Sequence, residues 1–222
     1  MNSKVMVVAA HADDEVIGCA GTILKHVAEG DQVYVVLMTD GVSSRTISNY
    51  PKEERLNASK LVAKGLGVES IKNFYFPDNE MDSVSLLSIV KTLEDYISFI
   101  SPATIYTHHH GDLNIDHQIT NKAVLTACRP QPNSSVKNIY TFEVLSSTEW
   151  QSPGFMSFNP DTFVDIGDYI DKKIDSLKLY QLEMRQPPHS RSIDNIIRLN
   201  ALRGSCVGLE YAESFCTIRS IR

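Results

Sequence analysis

A histidine and three consecutive acidic residues stand at positions 11–15 of the chain, HADDE. Histidine nitrogens and carboxylate oxygens bind divalent metals and move protons, so this segment holds four side chains capable of chemistry. His11 and Asp14 are three apart across a predicted turn into a helix, which lets both face one point, whereas Asp13 points elsewhere. The alternative interpretation is helix capping by the acidic residues. Three adjacent acids beside a histidine exceed what capping needs.

A second polar segment, HHHGDLNIDH at positions 108–117, follows a later apolar run. Its last residue, His117, supplies a third ligand beside His11 and Asp14. Two histidines and one carboxylate with an open fourth position are the ligand set of a catalytic zinc site. Asp116 is expected to hold an imidazole in one tautomer. For His109 the favoured interpretation is a solvated loop residue that points at water.

Apolar runs alternate with helical patterns along the first 128 residues. We predict strands over residues 5–10, 32–39, 71–76 and 103–107, and helices over residues 15–29, 51–67, 84–100 and 116–128, with Pro51 opening the second helix. Further strands are expected at 138–144 and 162–166, and further helices at 169–182 and 191–202. The alternation predicts an α/β fold, a Rossmann-like three-layer sandwich with a mostly parallel central sheet. The loops beginning at His11, Asp40, Asp78 and His108 then share the carboxyl edge of that sheet, where such proteins bind ligands.

The two polar segments together resemble the PIG-L/LmbE family of zinc-dependent de-N-acetylases. AHADDE at 10–15 is similar to the family's AHPDDE, and NIDH at 114–117 is similar to its HxDH. The resemblance covers nearly the whole chain, and it implies a single deacetylase domain over residues 1–222. The resemblance also includes Arg55 and the segments FPD at 76–78, RG at 203–204 and YAESF at 211–215.

The resemblance implies that His11, Asp14 and His117 bind one zinc ion per chain and that Asp13 is the general base. Zinc lowers the pKa of a bound water toward ~7 and polarises an amide carbonyl, while the base takes the proton of that water. The implied reaction removes an N-acetyl or other N-acyl group from an amino sugar or its conjugate. The products are acetate and a free amine.

The chain departs from the family pattern at two positions. Ala12 replaces a proline that takes no chemical role, but Asn114 replaces the first histidine of HxDH, which is implied to help at the oxyanion or as an acid. Asparagine donates a hydrogen bond but cannot deliver a proton. We expect His189, in the proline-stiffened segment PPHSR at 187–191, to supply the missing imidazole. The alternative is a surface histidine that caps the following helix.

Three further residues are candidate substrate contacts. Arg55 and Asp78 resemble family positions that contact sugar hydroxyls, although an arginine on a helix is often a solvated charge and Asp78 also suits a turn. Arg191 is a candidate for binding an anionic group such as a phosphate. The single tryptophan, Trp150, lies in an irregular stretch, residues 149–158, that is a candidate lid.

Composition excludes several classes of protein. The 222 residues are 42% hydrophobic and carry 21 Lys and Arg against 27 Asp and Glu, a formal charge of −6. An acidic chain without a basic run is a poor candidate for binding nucleic acid. No apolar stretch approaches the length of a membrane span, and the six-residue run near the N-terminus is too short for a signal peptide. Four cysteines without a CxxC pair are expected to be reduced thiols in a cytoplasmic protein.

Two other functions remain open at this stage. A metal-dependent phosphoesterase usually requires two metals and bridging carboxylates, whereas the sequence offers ligands for one metal. A catalytically silent sugar-binding protein of the same fold would account for Asn114. The presence of His11, Asp13, Asp14 and His117 together argues against it. The expected partner is a small N-acetylated sugar or conjugate, and the chain is a possible homo-oligomer.

Overall fold

The computed structural model describes residues 2–39, 41, 52–154 and 156–221. Asp40 and Pro51, where one predicted loop and one predicted helix begin, lie outside the described residues. Phe155, within the candidate lid, also lies outside them.

A seven-stranded sheet forms the centre of the described part of the chain. Its strands are β1 (Lys4–Ala9), β2 (Gln32–Thr39), β3 (Ser70–Phe76), β4 (Thr104–His108), β5 (Asn138–Phe142), β6 (Thr162–Asp165) and β7 (Ala212–Arg219). They lie in the order β3-β2-β1-β4-β5-β7-β6. The strands from β3 across to β5 pair in parallel, and β7 is antiparallel to both β5 and β6.

Helices cover both faces of this sheet. They are α1 (Asp14–Ala28), α2 (Lys52–Leu66), α3 (Leu86–Ile100), α4 (Ile115–Ala127), α5 (Ile170–Leu179) and α6 (Ile193–Ser205). Alternate residues of β1 enter different cores: Val5 and Val7 pack with α1, α2, α5 and α6, whereas Met6 and Val8 pack with α3 and α4. The predicted α/β sandwich with a mostly parallel sheet is therefore confirmed. Among the described residues, no helix is both long and apolar enough to cross a membrane.

The sheet reverses its strand order between β1 and β4. The chain progresses from β1 outward to β2 and β3, then returns to place β4 on the other side of β1. At such a switch point the loops that leave two adjacent strands diverge and open a crevice. The loops that follow β1 and β4 are the two polar segments of the sequence. Topology therefore brings these two segments together.

One strand, β7, is not among the sequence predictions, whereas the bounds of the predicted elements shift by at most three residues. Polar residues interrupt the apolar pattern of β7, and one of them, Glu213, is buried. Its carboxylate accepts hydrogen bonds from the amides of Gly21 and Thr22 in α1, at 2.9 and 2.7 Å, and from the Thr22 hydroxyl. Lys173 of α5 donates to Glu213 at 2.6 Å and to the Ile17 carbonyl at 2.8 Å. A buried ion pair thus joins α1, α5 and β7.

Candidate metal centre and active site

Three side-chain atoms from the two polar loops converge at the switch point. His11 Nδ1, His117 Nε2 and Asp14 Oδ2 are each 3.2 Å from the other two. All three residues are at most 8% exposed. Asp14 begins α1 and His117 lies in the first turn of α4, so both helix starts contribute to the cluster.

The cluster has the geometry and chemistry of a zinc site. Zinc bonds of about 2.0–2.1 Å place tetrahedral ligand atoms roughly 3.3–3.4 Å apart, close to the spacing observed here. Asp14 Oδ1 is buried and has no hydrogen-bond partner among the described residues. A buried carboxylate oxygen without a partner is costly unless a ligand satisfies it. The donors present therefore fit a divalent metal of the zinc type.

The ring nitrogen of each histidine that faces away from the cluster contacts a different carboxylate. His11 Nε2 lies 3.1 Å from Asp116 Oδ2, and His117 Nδ1 lies 3.1 Å from Asp112 Oδ2. A carboxylate on the far nitrogen fixes the ring tautomer and leaves the near nitrogen free for a metal. Burial lowers the pKa of His117, but Asp14 and Asp112 outweigh it and raise that pKa to about 10. The same balance, with Asp116 and Asp14 as the carboxylates, raises the pKa of His11 to about 9.

Asp112 is a site residue that the sequence analysis did not single out. Besides contacting His117, the Asp112 carboxylate accepts hydrogen bonds from the backbone amide of Asn114 at 2.8 Å, the Thr148 hydroxyl at 2.6 Å and the Ser147 hydroxyl. Burial raises the pKa of Asp112, but His117, the charge of His108 and the Ser147 hydrogen bond outweigh it and lower that pKa to about 2. Its place in the polar segment 108–117 was the available signal.

Two other groups of possible ligands share these histidines, but their oxygens are already occupied. In one group, Asp116 accepts the backbone amides of Asn79 at 2.6 Å and Met81 at 3.1 Å. In the other group, the Asp112 oxygens accept hydrogen bonds from Asn114, Ser147 and Thr148. His108 Nε2 in that group accepts the backbone amide of Ala10 at 2.8 Å. Asp14 Oδ2 also accepts a backbone amide, that of His11 at 2.9 Å, but Asp14 Oδ1 has no hydrogen-bond partner among the described residues. The group of His11, Asp14 and His117 is therefore the best candidate to bind the ion.

Asp13 is fixed beside the cluster in a strained backbone conformation. Its φ of 123° is disfavoured for any residue with a Cβ and costs roughly 1–3 kcal/mol. The turn is held by hydrogen bonds from the Asp14 amide to the His11 carbonyl at 3.3 Å and from the Asp13 amide to Glu15 at 3.0 Å. This turn places Asp13 and Asp14 in different surroundings although they are adjacent in sequence.

The Asp13 carboxylate is fully buried and only partly satisfied. Oδ2 accepts a hydrogen bond from Arg191 at 3.1 Å, while Oδ1 lies 3.8 Å from Arg55 and has no hydrogen-bond partner among the described residues. Burial raises the pKa of Asp13 to about 6, although Arg191 and Arg55 oppose the rise. A general base needs both a free oxygen and a pKa near the working pH. Asp13 has both.

Asn114 caps α4. Its side-chain oxygen accepts hydrogen bonds from the amides of Asp116 at 2.8 Å and His117 at 3.4 Å, and its nitrogen donates to Asn79 at 3.0 Å. The cap fixes the helix start that carries a metal-ligand candidate and its neighbour. Both ends of this amide are thus used in building the site.

One residue of the segment 187–191, Arg191, contacts the site. Arg191 donates to Asp13 and, at 2.7 Å, to Ser146. The His189 ring is partly exposed, its Nδ1 accepts the Arg191 amide at 3.0 Å, and it packs edge-on against Trp150 at 5.6 Å between centroids. Ser192, not His189, caps α6 with its side chain.

Arg55 and Asp78 are both buried beside the cluster. Arg55 is 8% exposed, which rules out the solvated-charge alternative, and it donates to the carbonyls of Gly41 and, at 2.9 Å, Ala12. It also pairs with Glu183 at 3.1 Å. Asp78 Oδ1 lies 3.3 Å from His11 Nε2.

The expectation that His109 points at water is wrong. The residue is 2% exposed, and its Nε2 lies 2.8 Å from the carbonyl oxygen of Met156. Its ring packs against His110 and Phe158. His109 therefore joins the loop after β4 to the candidate lid, residues 149–158. Its buried Nε2 is paired with a backbone carbonyl instead of water.

The fold and this cluster define an α/β protein with a buried, three-ligand candidate metal site at the switch point of its sheet. The chain belongs to the PIG-L family, whose model, described as GlcNAc-PI de-N-acetylase, matches residues 6–128. That match includes both polar segments and all three candidate ligands. The family is one of carbohydrate de-N-acetylases.

Individual proteins of known sequence or structure are similar over most of the chain. The uncharacterized deacetylase YaiS of Escherichia coli (strain K12) is 27% identical over 183 residues, which are 80% of this chain and 90% of that protein. The N,N'-diacetylchitobiose deacetylase of Pyrococcus horikoshii superposes with a TM-score of 0.81 at 20% identity, covering 98% of this chain and 84% of the other. GalB of Pseudomonas putida KT2440, a 4-carboxy-2-hydroxymuconate hydratase, gives 0.78 at 20% identity, covering 100% and 98%. Since the fold occurs in a deacetylase and a hydratase, the reaction has to be argued from the site.

Proposed function

We propose that the protein is a zinc-dependent hydrolase that removes an N-acetyl group from an amino sugar or its conjugate, releasing acetate and a free amine. The observation that carries the proposal is the equilateral set of His11, Asp14 and His117 atoms beside a buried carboxylate with a free oxygen, that of Asp13. Membership of a de-N-acetylase family supports the same reaction.

His11, Asp14 and His117 would hold one zinc ion, each histidine in the tautomer that Asp116 or Asp112 enforces. When bound, zinc supplies Lewis acidity, which activates water and polarises the amide carbonyl. Asp112 and Asp116 keep the two imidazoles oriented, so the site needs little rearrangement on binding.

Asp13 acts as the general base. Its unpartnered Oδ1 accepts a proton from the attacking water, while Arg191 holds Oδ2 and keeps the carboxylate oriented. Arg55 fixes the same turn through the Ala12 carbonyl. The strained turn at Asp13 separates this base from the adjacent ligand, Asp14.

The leaving amine requires a proton, and we assign its delivery to His189. Asn114 has no proton to give, and its amide is engaged at the start of α4. His189 is in the segment whose Arg191 contacts Asp13. If zinc-loaded His189→Ala keeps its full turnover number, this assignment is wrong.

Arg191, Arg55 and Asp78 are the proposed substrate contacts. Arg191 is the most exposed of the three, with 21% of its side chain accessible, so it meets an incoming substrate first. The contacts of Arg55 and Asp78 with sugar hydroxyls stay predictions of the family resemblance. The expected compartment is the cytoplasm, in keeping with four free thiols, and the expected partner is a small N-acetylated molecule.

The test is a screen of N-acetylated sugars and nucleotide sugars with zinc-loaded protein, with release of free amine as the readout. Metal analysis accompanies it. One zinc per chain with amine release supports the deacetylase, two metals with phosphate release would support the phosphoesterase, and no bound metal would indicate a sugar-binding protein. Asp13→Asn is the control, which we expect to bind zinc and release almost no amine.

A further inference from the structure

The indole of Trp150 is a large apolar group that the protein leaves half exposed, at 52%. It ends a short 3-10 turn, Thr148–Trp150, between β5 and β6. Single exposed apolar residues are common and need no explanation by themselves. Residues on two sides of Trp150 connect its indole to the proposed active site.

The turn that carries Trp150 is fastened to the support of a metal-ligand candidate. The Thr148 hydroxyl donates to Asp112 at 2.6 Å and accepts the Val144 amide at 2.8 Å. The Ser147 hydroxyl contacts the same Asp112 carboxylate, which holds His117. The backbone turn that carries the indole is therefore well ordered, so little backbone freedom is lost when the indole binds a ligand.

On its other side the indole meets the segment that touches the proposed base. Its ring packs edge-on against His189, at 5.6 Å and 71°. Two residues further along that segment, Arg191 bonds both Asp13 and Ser146. Trp150 thus stands where two separate loops, each in contact with the site, come together.

We propose that Trp150, backed by His189, forms a wall of the substrate cleft and stacks on a pyranose ring of the sugar. The inference rests on the proposed function and adds a residue that determines its specificity. A pyranose presents C–H groups on its faces and hydroxyls at its rim, and the exposed indole offers a matching apolar surface with a polar N–H at its edge. Arg191 and Asp78 provide hydrogen-bonding groups for the rim.

Phe99 provides a matched control. Its ring is 79% exposed, more than that of Trp150, but it lies on α3 and its ring neighbour is Tyr96 of the same helix. The helix packs into the core on the other face of the sheet from α1, α5 and α6. Phe99 therefore tests the loss of an exposed aromatic ring away from the cleft.

The kinetic test compares Trp150→Ala, Trp150→Phe and Phe99→Ala on N-acetylglucosamine, its β-1,4-linked disaccharide and the acyclic amide N-acetylethanolamine. We expect Trp150→Ala to raise KM for the sugars about five- to tenfold while kcat changes less than about twofold. Trp150→Phe should restore most of the lost affinity. Phe99→Ala should change neither constant, and the acyclic amide should be insensitive to all three variants.

A binding test needs no turnover. Trp150 is the only tryptophan beside nine tyrosines, so emission excited at the long-wavelength edge, where tyrosine does not absorb, reports this indole alone. In zinc-loaded Asp13→Asn we expect the disaccharide to change that emission saturably and N-acetylethanolamine to leave it unchanged.

The outcomes separate the two proposals. If the protein deacetylates sugars but Trp150→Ala leaves every KM unchanged, or the emission does not respond, the stacking wall is wrong and the hydrolase assignment stands. If no N-acyl compound is hydrolysed but the disaccharide changes the emission, the wall stands and the hydrolase assignment is wrong. If neither occurs, both are wrong.

Discussion

Two buried clusters of charge contact α1, and they differ in how completely their polar atoms are satisfied. Against the middle of the helix, Glu213 receives two amides, a hydroxyl and the Lys173 ammonium, and Lys173 also reaches the Ile17 carbonyl. At the start of the helix, Asp13 Oδ1 and Asp14 Oδ1 are buried without a hydrogen-bond partner among the described residues.

The difference separates a structural role from a functional one. Glu213 and Lys173 bond the Gly21 amide and the Ile17 carbonyl, two groups that a regular helix pairs with each other, so the ion pair completes the architecture by itself. The acidic cluster leaves two buried carboxylate oxygens without a hydrogen-bond partner among the described residues, which the proposed cation and attacking water would satisfy. We infer that the buried charges of Glu213 and Lys173 stabilise the fold, whereas those of Asp13 and Asp14 serve to bind a ligand.

The largest effect that would sharpen this comparison is loss of turnover without loss of fold. Asp13→Asn removes the proposed base but keeps the shape of the side chain. We expect kcat to fall by about 10²–10⁴ while zinc content and melting temperature stay near the parent values. Amine release and metal analysis measure these quantities.

Asp175→Asn is the matched control, since this carboxylate is exposed and pairs only with Lys178 among the contacts described. Its turnover should equal that of the parent. An Asp13→Asn protein that retained full kcat would remove Asp13 from the mechanism.

The structural cluster should show the opposite pattern. Lys173→Met leaves Glu213 buried and uncompensated, so we expect a loss of about 3–5 kcal/mol in the free energy of unfolding, with zinc affinity of the folded protein little changed. Chemical denaturation measures the loss. Adding Glu213→Gln should recover part of it, because the second change removes the unpaired charge. If Lys173→Met lowered zinc affinity but left the free energy of unfolding unchanged, the two clusters would not differ in this way.

A smaller effect is expected at the carboxylate behind His117. Asp112→Asn keeps the shape but weakens the orientation of the ring, and zinc affinity should fall about ten- to a hundredfold. Competition with a chelator measures it. The same substitution at Asp161, which immediately precedes β6 and accepts the Thr217 backbone amide at 2.9 Å, should leave zinc affinity unchanged.

The smallest effect belongs to an exposed ion pair. Lys178 and Asp175 lie 2.8 Å apart, with 61% and 72% of their side chains accessible. Lys178→Ala should change the free energy of unfolding by less than about 1 kcal/mol, because solvent screens the pair. A loss as large as that of Lys173→Met would show that burial does not explain the contrast.

The sequence was sufficient to predict the fold class and most strands and helices, because their apolar patterns are local. It was not sufficient for β7, where Glu213 breaks the pattern and its partners lie about 190 residues away in α1. An ion pair of this kind has no local signal. The arrangement of β7 between β5 and β6 likewise depends on pairing that spacing does not reveal.

The candidate ligands and Asp13 were also available from two motifs, but their partners were not. Asp116 is adjacent to His117 in sequence, yet it contacts His11, because neighbouring residues on a helix point in different directions. The ring of His117 is held instead by Asp112, five positions earlier. The link between Arg191 and Asp13 spans 178 residues and depends on the packing of two loops.

The central claim is that the incompletely satisfied cluster is a zinc site, and anomalous diffraction at the zinc edge tests it most directly. In crystals of the protein grown with zinc, we expect one peak per chain, bonded at about 2.0–2.2 Å to His11 Nδ1, His117 Nε2 and an Asp14 oxygen. A second peak beside Asp78 and Asp116, or a single peak at any other place, would contradict the account.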